Sequence, residues 1–503
     1  HTLFAILALC AMVSAQDPTP TPESDKQVQT VSYLKSRIAM RIADPGLKRG
    51  RVGVKIVSAR DGRTIYERNA EDYFIPASNM KSFTVAAAIE NLSPSFRFKT
   101  SIYSQSGPDS NGAILGDLIV YGRGDPSFSE AFSEGEPYKR IDELVDAIVG
   151  AGVKSVSGSL VADETYFSSK AIPNGWEWDD LQWYYGAEIS PLTIFDNTIE
   201  LNVGPSTVGQ KCVVQTRPLS GIVRIVNTTM TTTSREKRKL RVTKLLGQNV
   251  IEVAGTMPEN GRPFKGRVAV TNPAELFAEV LAKRLRLKGV QIRVGTKAID
   301  LQGRSGTRLP VDSYTEVASV YSPPLSIIAA KTMKPSQNLY TELLLRALGE
   351  SSRIDDDSEA ASDKLGMDAV QDLLRKAGVA PRSVIQYDGS GLSRHNLITP
   401  DSAVKLYQYM NQSRNGLIWR NSLTIGGLDG TLRNRFKGTS AQGNVRGKTG
   451  TLDQVSALSG YVTSKSGEKF VFSILTNNIP SSGLRRMTID DIVKLLADYD
   501  GTL

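Results

Sequence analysis

Hydrophobic alternation near the start of the chain predicts a β-hairpin. Between residues 51 and 57 an apolar side chain recurs at every second position, the period of a half-buried strand. Asp61-Gly62 is a typical turn, and residues 63–67 form the returning strand. The run from Lys81 to Ile89 is apolar and rich in alanine, so it predicts a buried helix directly after the hairpin.

The C-terminal part repeats this arrangement. Residues 445–462 and 469–476 are strand-like and are separated by a turn at residues 464–467. A closing helix is indicated by apolar residues at helical spacing, namely Ile489, Ile492, Val493 and Leu496. Strands near both ends of the chain, with helices between and after them, predict an α+β fold. An antiparallel sheet flanked by helices fits this order better than a doubly wound βαβ fold.

The middle of the chain predicts large inserted domains. It holds its own helix at residues 274–287 and a stretch rich in Val, Thr and Gly that is typical of a small β subdomain. We therefore predict a main domain, an inserted domain and a nested subdomain, with these boundaries: residues 28–97 and 318–503 for the main domain, 98–202 and 268–317 for the insertion, and 203–267 for the β subdomain.

Composition and charge narrow the class of protein. The chain has 503 residues, of which 40% are hydrophobic and 22% charged, as expected for a globular protein of more than one domain. Its formal net charge of +9 favours anionic surroundings, such as cell-wall polymers or lipid headgroups. The alternative is that the spread-out Lys and Arg are only solvated surface, and nucleic-acid binding is not expected.

The N-terminal residues predict export. Residues 3–15 form an apolar run that ends in small residues, so residues 1–15 are interpreted as a signal peptide cut before Gln16. Residues 16–27 are rich in proline and predict an extended linker. The apolar run is shorter than a spanning helix needs, and no transmembrane anchor is expected. We expect an exported protein, periplasmic or associated with the cell envelope. Cys212 would then be the single remaining thiol, without an internal disulfide.

Three short strings stand in one order along the chain: Ser78-Asn79-Met80-Lys81, Ser336-Gln337-Asn338 and Lys448-Thr449-Gly450. Taken singly they are weak signals. Ser-x-x-Lys also occurs at four other places, Ser32–Lys35, Ser234–Lys237, Ser402–Lys405 and Ser466–Lys469. The apolar helix that follows Ser78 distinguishes the first string. As a set, the three resemble the Ser-x-x-Lys, Ser-x-Asn and Lys-Thr-Gly boxes of penicillin-binding proteins and β-lactamases.

The spacing of the three strings along the chain resembles that of one group within these proteins. The first box lies near the mature N-terminus, and more than two hundred inserted residues separate it from the other two boxes. This order resembles that of the low-molecular-mass class C penicillin-binding proteins, the D-alanyl-D-alanine carboxypeptidase/endopeptidase family. Residues 122–126, 334–338 and 387–394 also look like segments of this family. The resemblance implies a β-lactamase/transpeptidase-like main domain and a serine peptidase. The implied partners are peptidoglycan stem peptides and, as covalent inhibitors, β-lactam antibiotics; no cofactor and no metal are implied.

Ser78 and Lys81 are the candidate nucleophile and base. They lie three residues apart on one face of the predicted helix, so the amine can take the proton of the hydroxyl. An ordinary lysine has a pKa near about 10.4, so this role needs burial or a nearby cation, for which Lys448 is a candidate. A Ser-His-Asp arrangement would depend on His395 alone, because His1 lies in the predicted signal peptide.

Ser336 and Asn338 precede an apolar run and are expected on the turn that enters a helix. Capping of that helix is the alternative role for them. The resemblance implies that Ser336 shuttles protons and that Asn338 binds Lys81 and the substrate amide.

Thr449 and Thr451 should point to the same side of a strand, where their hydroxyls and Lys448 would suit a terminal carboxylate. A flat strand would aim Lys448 to the other face, so its role requires a twist or a long reach. Gly450 completes the third box as a substrate-binding residue. By resemblance, the backbone N–H groups of Ser78 and Thr451 form an oxyanion hole.

Residues 175–185 concentrate three of the four tryptophans of the chain and predict a rim for ligand binding. Trp176, Asp179 and Tyr184 resemble the family segment that meets the free amino end of a stem peptide, with Asp179 as the counter-charge. Asp180 or Tyr185 could take that place instead. The alternative interpretation is an aromatic packing seam between domains.

Two other functions remain open from the sequence. A β-lactamase shares the acylation residues but turns over penicillin rapidly. A wall-binding protein without catalysis would keep the scaffold with a broken box, and all three boxes are intact here.

Overall fold

The computed structural model describes residues 29–354 and 360–503. The predicted signal peptide, residues 1–15, and the linker, residues 16–27, lie outside this part of the chain. Among the helices of residues 29–354 and 360–503, none combines the length and the apolar character that crossing a bilayer requires. The helices of the described residues are α1 Val31–Ile42, α2 Lys81–Leu92, α3 Lys139–Gly150, α4 Pro273–Leu287, α5 Leu325–Met333, α6 Asn338–Ser351, α7 Ser362–Lys376, α8 Pro400–Gln412, α9 Gly416–Ser422 and α10 Ser482–Asp498.

The strands form one large sheet and several smaller ones. In chain order they are β1 Arg51–Ser58, β2 Thr64–Arg68, β3 Lys99–Ser104, β4 Ala113–Ile114, β5 Leu118–Tyr121, β6 Ser155–Val156, β7 Ser159–Asp163, β8 Thr198–Gly204, β9 Val213–Arg217, β10 Arg224–Thr232, β11 Lys239–Lys244, β12 Val250–Pro258, β13 Phe264–Ala269, β14 Gln291–Ile292, β15 Gly295–Ile299, β16 Thr315–Tyr321, β17 Val384–Ile385, β18 Leu397–Ile398, β19 Thr424–Ile425, β20 Arg446–Leu452, β21 Val455–Thr463 and β22 Lys469–Asn477.

Strands from both ends of the chain share one antiparallel sheet of six strands, in the order β19-β20-β21-β22-β1-β2. The predicted N-terminal hairpin is confirmed, and β1 pairs along its whole length with β22, from Arg51 opposite Asn477 to Ser58 opposite Phe470. The strand-like character of residues 445–462 is confirmed, and the structure divides them into two strands, β20 and β21, which form a hairpin that turns at Gln454, whose φ is +59°.

Both faces of the six-stranded sheet are covered, so most residues of β1, β21 and β22 are buried. On one face Val54 and Ile56 of β1 pack with α1 and α10, through residues such as Ile38 and Ile492. The predicted closing helix is therefore confirmed as α10. On the other face lies a helical layer that contains α2, and ten of the twelve residues of α2 are buried. Its alanines allow the neighbouring α6 to approach closely.

The inserted residues form separate sheets. A five-stranded sheet, β15-β7-β5-β3-β16, packs against α3 and α4, and the helix predicted at 274–287 is confirmed as α4. The predicted boundary at residue 318 falls inside β16, which pairs with β3 of this sheet. We therefore propose that the insertion ends after Tyr321. Two three-stranded sheets, β13-β8-β9 and β10-β12-β11, enclose a small core. The boundaries predicted for the β subdomain, at residues 203 and 267, fall inside β8 and β13, so its sheets begin at Thr198 and end at Ala269.

Candidate active site

Ser78 lies on a 3₁₀ turn over Ala77–Met80 that runs directly into α2. This Ser78 turn is strained, because Ala77 has a φ of +47°, a region that costs a non-glycine residue about 1–2 kcal/mol. Gly391 fits tightly against the turn: a Cβ at this position would lie 1.9 Å from the carbonyl oxygen of Ala77. Only glycine allows this approach, so the loop at Gly391 helps to fix the position of Ser78.

The amine of Lys81 is fully buried and has three neighbours. Its Nζ lies 2.9 Å from Ser78 Oγ, 2.6 Å from Asn338 Oδ1 and 2.7 Å from the carbonyl oxygen of Ser390. A neutral amine has two hydrogens and one lone pair. The amide and carbonyl oxygens can accept only hydrogens, so they take both, and the lone pair is left for the hydroxyl of Ser78.

Burial lowers the pKa of Lys81 to about 7, and the charges of Asp388 and Glu342 act in the opposite direction. The sequence offered Lys448 as the cation that depresses this pKa. The structure gives burial as the cause instead. Repulsion between the two amines adds to the burial that lowers the pKa of Lys448 well below its usual range. Both amines are therefore held toward the neutral form.

The acylation rate should depend on pH through Lys81. Below its pKa of about 7 the amine is protonated and cannot take the proton of Ser78, so the rate should fall as the pH drops through this value. Stopped-flow measurement of penicillin acylation between pH 5 and pH 9 checks this expectation. A rate that keeps rising to about pH 10, the range of an ordinary lysine, would contradict it.

Ser336 and Asn338 lie on the turn that enters α6, as predicted. Ser336 has a φ of +66°, and the N-cap of the helix is Gln337, whose side chain accepts from Leu339 N. The capping alternative is therefore wrong for Ser336 and Asn338. Asn338 also donates from Nδ2 to the carbonyl oxygen of Tyr185, 2.8 Å away, which links the first inserted segment to this turn.

The side chain of Lys448 extends from β20 to Ser336. Its Nζ donates to Ser336 Oγ at 2.8 Å and to the carbonyl oxygen of Thr449 at 2.9 Å. The alternation of the strand sends Lys448 to the opposite face from Thr449 and Thr451, and the long side chain bends back to Ser336. The structure thus brings together all five residues expected to do chemistry: Ser78, Lys81, Ser336, Asn338 and Lys448.

Gly450 allows β20 to lie against the Ser78 turn. A Cβ at Gly450 would lie 2.3 Å from the carbonyl oxygen of Pro76, and Asn79 Nδ2 donates to the carbonyl oxygen of Lys448 at 2.7 Å. Gly450 was predicted to bind substrate, but it does not line the cleft described below. Its place in the structure is that of a spacer between strand and turn.

Ser78 opens into a cleft of about 660 Å³. Thr449, Thr451 and Leu452 line it from β20, while Asp179 and Tyr184 line it from the insertion, together with Asp180 and Tyr185. Trp176 is not among the lining residues. Its indole Nε1 donates to Asp388 Oδ2 at 2.9 Å, so the packing interpretation fits Trp176 and the rim interpretation fits Asp179 and Tyr184.

Part of the cleft lining is acidic. The lining contains four carboxylates and two arginines, namely Glu177, Asp179, Asp180, Asp453, Arg394 and Arg485, and Arg394 is bound to Glu177 at 3.0 Å. Burial, reinforced by the charges of Asp179 and Glu177, raises the pKa of Asp180 to about 6. This part of the lining favours a cationic group on a ligand.

Several residues that support the site escaped the sequence analysis. Ser390 contributes a carbonyl oxygen to Lys81, and its backbone N–H donates to Glu342 at 2.8 Å. Asp388 accepts from Gly391 N and Ser393 N, both at 2.7 Å, and so holds the loop at Gly391 in shape. A backbone carbonyl leaves no sequence signal. The glycine-rich segment 387–394 was the available hint.

Gly391→Ala should lower both stability and activity. The added Cβ would overlap the carbonyl of Ala77, so either this loop or the Ser78 turn must shift. We expect a loss of roughly 3 kcal/mol or more in the free energy of unfolding and slower acylation. Chemical denaturation and penicillin-labelling kinetics check this.

Gly467→Ala is the matched control for Gly391→Ala. Gly467 has a φ of +86°, close to the +83° of Gly391, but open space surrounds its Cβ position. It should cost about 1 kcal/mol and leave acylation unchanged. Equal effects of the two substitutions would show that the backbone conformation, and not the contact with Ala77, is what matters at Gly391.

Comparisons with known proteins agree with this geometry. The chain is 31% identical over 490 residues to a D-alanyl-D-alanine carboxypeptidase of Actinomadura sp. (strain R39), which covers 95% of this chain and 87% of that protein. It is 28% identical over 440 residues to the D-alanyl-D-alanine carboxypeptidase DacB of Haemophilus influenzae, 87% of each chain. Penicillin binding protein 4 (dacB) from Haemophilus influenzae has a similar structure, with a TM-score of 0.76, 26% identity, and coverage of 93% of this chain and 98% of that chain.

Fold and site together define a serine peptidase of the penicillin-binding-protein class. The model of the D-Ala-D-Ala carboxypeptidase 3 (S13) family matches residues 34–499. The chain therefore belongs to this family. The family predicted from the three boxes and the predicted fold class are both confirmed.

Proposed function

We propose that this chain is a serine D-Ala-D-Ala carboxypeptidase, a D,D-endopeptidase, or both, which acts on peptidoglycan stem peptides through an acyl-enzyme on Ser78. The observation that carries the proposal is the environment of Lys81. Both hydrogens of the neutral amine are engaged by oxygens, and its lone pair is directed at the hydroxyl of Ser78. The family membership of the chain supports the same activity.

In the acylation step Lys81 takes the proton of Ser78 while Ser78 Oγ attacks the carbonyl carbon of the scissile peptide bond. The developing oxyanion lies between the backbone N–H groups of Ser78 and Thr451. Thr451 belongs to β20, which lies against the Ser78 turn. Ser336 donates its proton to the leaving nitrogen and regains one from protonated Lys81, so that Lys81 is neutral again when the amine leaves. Lys448 holds Ser336 in place through the 2.8 Å hydrogen bond to its Oγ. D-Alanine or the cross-linking amine then leaves.

Deacylation uses the same groups, with water in the place of the leaving amine. The water molecule gives a proton to Lys81 and attacks the ester carbonyl on Ser78. Collapse of the second tetrahedral intermediate returns the proton to Ser78 Oγ and releases the shortened peptide. Asn338 keeps Lys81 in place throughout through the 2.6 Å hydrogen bond to its Nζ.

Different parts of the cleft lining suit the two ends of the substrate. The hydroxyls of Thr449 and Thr451, near Lys448, are placed to bind the terminal carboxylate. Thr449 Oγ1 is held by Thr431 Oγ1 at 2.7 Å. In the acidic part of the lining, Asp179 is proposed as the partner of the free amino group on the stem peptide.

Asp179→Asn should raise KM for a stem peptide with a free side-chain amine and leave KM unchanged for an analogue in which that amine is acetylated. Loss of a charge-assisted hydrogen bond predicts a change of roughly tenfold in kcat/KM. Asp180→Asn is the matched control, because Asp180 is the neighbouring carboxyl group and also lines the cleft. A larger effect at Asp180 would transfer the role to that residue.

The predicted export places the enzyme with its substrate, and we propose a location in the periplasm or the cell envelope. The strained amide of a β-lactam meets the same nucleophile as a peptide, so penicillins are proposed to acylate Ser78. Of the family relatives, one carries the name penicillin binding protein 4.

Incubation of the purified protein with defined muropeptides, followed by mass spectrometry, tests the proposal. Loss of one D-alanine marks carboxypeptidase activity, and conversion of cross-linked dimers to monomers marks endopeptidase activity. Unchanged substrates with an intact fold would overturn the proposal in favour of a wall-binding protein. Rapid release of hydrolysed penicillin, without a lasting adduct on Ser78, would favour a β-lactamase.

A further inference from the structure

The positive charge of the chain is concentrated in one part of the molecule. Residues 203–267, the predicted β subdomain, contain twelve Lys and Arg residues but only three acidic residues, all of them Glu. This excess of nine equals the formal net charge of +9 of the whole chain, so the other 438 residues are balanced. The interpretation of the Lys and Arg residues as spread along the chain therefore does not hold for the positive excess, which belongs to this one subdomain.

Most of these cations lack an anionic partner. Arg217 pairs with Glu200, and Arg267 pairs with Asp196. In residues 29–354 and 360–503, by contrast, no ion pair or side-chain hydrogen bond involves five exposed cations that we call the cationic face: Arg235, Lys237, Arg238, Lys239 and Arg241.

The cationic face has a simple geometry. The loop after β10 carries Arg235, Lys237 and Arg238, and β11 continues it with Lys239 and Arg241. In the sheet order β10-β12-β11, β11 is an edge strand. Lys239 and Arg241 lie two residues apart on one side of it, about 7 Å from each other. The five charges therefore follow one another along an open edge, an arrangement suited to a linear polyanion.

The composition of the subdomain favours a polymer over a lipid bilayer as the anionic ligand. Residues 203–267 contain one aromatic residue, Phe264, and neither Trp nor Tyr. Trp and Tyr are the side chains enriched at the membrane–water interface. The exposed large apolar side chains of residues 203–267 are Val208, Val213, Leu219, Met230 and Leu246, and none of them belongs to the segment 235–241 that carries the cationic face.

We propose that the cationic face binds a phosphodiester-linked anionic polymer of the cell envelope. The five cations replace counterions along the polymer, so the interaction is electrostatic and weakens with salt. None of the five residues lines the cleft. Binding through this face holds the enzyme on the wall without occupying the active site.

The experiment uses the full chain and fluorescent poly(glycerol phosphate), with binding followed by anisotropy at several salt concentrations. The test variant reverses the five charges of the cationic face to Glu. A matched control reverses five other exposed, unpaired cations to Glu, namely Lys48, Lys154, Lys376, Arg414 and Lys437. Both variants change the net charge by the same amount, and circular dichroism checks their folding. A milder variant, Arg235→Gln/Lys237→Gln/Lys239→Gln, serves if the test variant is unfolded.

We expect the wild-type chain to bind with an affinity that falls steeply with salt. The cationic-face variant should lose at least roughly tenfold in affinity, and the control clearly less. Hydrolysis of a small muropeptide should be unchanged in both. Equal losses in the two variants would show a nonspecific effect of net charge and would overturn the proposal. No binding by the wild-type chain, or binding to phosphatidylglycerol vesicles in preference to the polymer, would overturn it as well.

Discussion

Ser78→Ala is expected to give a folded protein that neither hydrolyses muropeptides nor forms a covalent adduct with penicillin. The substitution removes the one oxygen that lies 2.9 Å from the amine of Lys81 at the mouth of the cleft. Loss of the nucleophile in serine hydrolases costs about 10⁴- to 10⁶-fold in rate. Mass spectrometry of the intact protein after incubation with penicillin measures the adduct directly.

Ser466→Ala is the matched control for this prediction. Ser466 and Lys469 also match Ser-x-x-Lys, but Ser466 lies in an exposed turn between β21 and β22 and bonds to Ser464. It should acylate and hydrolyse like the wild-type chain. An adduct that persists in Ser78→Ala, or disappears in Ser466→Ala, would show that the nucleophile has been assigned to the wrong serine.

Lys81→Met should reduce acylation by roughly 10²- to 10⁴-fold, the contribution of a positioned base. The thioether fills a similar volume, but it leaves Asn338 Oδ1 and the carbonyl oxygen of Ser390 without this donor, so a loss of about 1–3 kcal/mol in the free energy of unfolding is expected. Measurement of penicillin acylation rates at pH 8, with thermal unfolding of the same samples, separates the loss of the base from a loss of fold.

Lys81→Arg distinguishes proton transfer from electrostatic attraction. A guanidinium stays protonated at every accessible pH, so it keeps the positive charge but cannot accept the proton of Ser78. If Lys81 acts as the base, Lys81→Arg should be as inactive as Lys81→Met. Activity retained by the arginine variant would mean that Lys81 acts only through its charge, and the proposed mechanism would be wrong.

The parts of the fold that the sequence predicted have strong local signals. The alternation of residues 51–57 predicted β1, and the alanine-rich run after Ser78 predicted α2, because each pattern has a distinct period. That strands at the two ends share one sheet also followed from element order. The turn at Gln454 was not located, because β20 is itself rich in Gly, Thr and Lys, so no change in polarity marks where the strand ends and Asp453-Gln454 begins.

The side chains of the candidate site were predictable as a set, because chemistry requires particular residue types. The residues that hold these side chains in position were not predictable. Gly450 and Gly391 act through close approach of one backbone to another, and sequence alone does not say which backbone is near. Trp176 was grouped with Asp179 by spacing, yet its indole turns to Asp388, 212 residues away in the chain. Contacts of this kind are set by packing between domains.

The cause of the lowered pKa of Lys81 also depends on packing that sequence does not show. A lowered pKa was required by its proposed role, but sequence allowed either burial or a neighbouring cation as the cause. Only the packed structure shows a fully buried amine among Ser78, Asn338 and Ser390.

The pairing of β1 with β22 has a consequence for how the protein is made. Arg51 and Asn477 are partners, so the central strands of the large sheet are separated by more than four hundred residues. A ribosome delivers the nucleophile long before the strands that complete its site. The insertion, whose sheets pair within residues 99–321, can fold as it emerges, whereas the hydrolytic centre must wait for nearly the whole polypeptide. A premature stop before β20 would therefore leave a chain without any acylating activity.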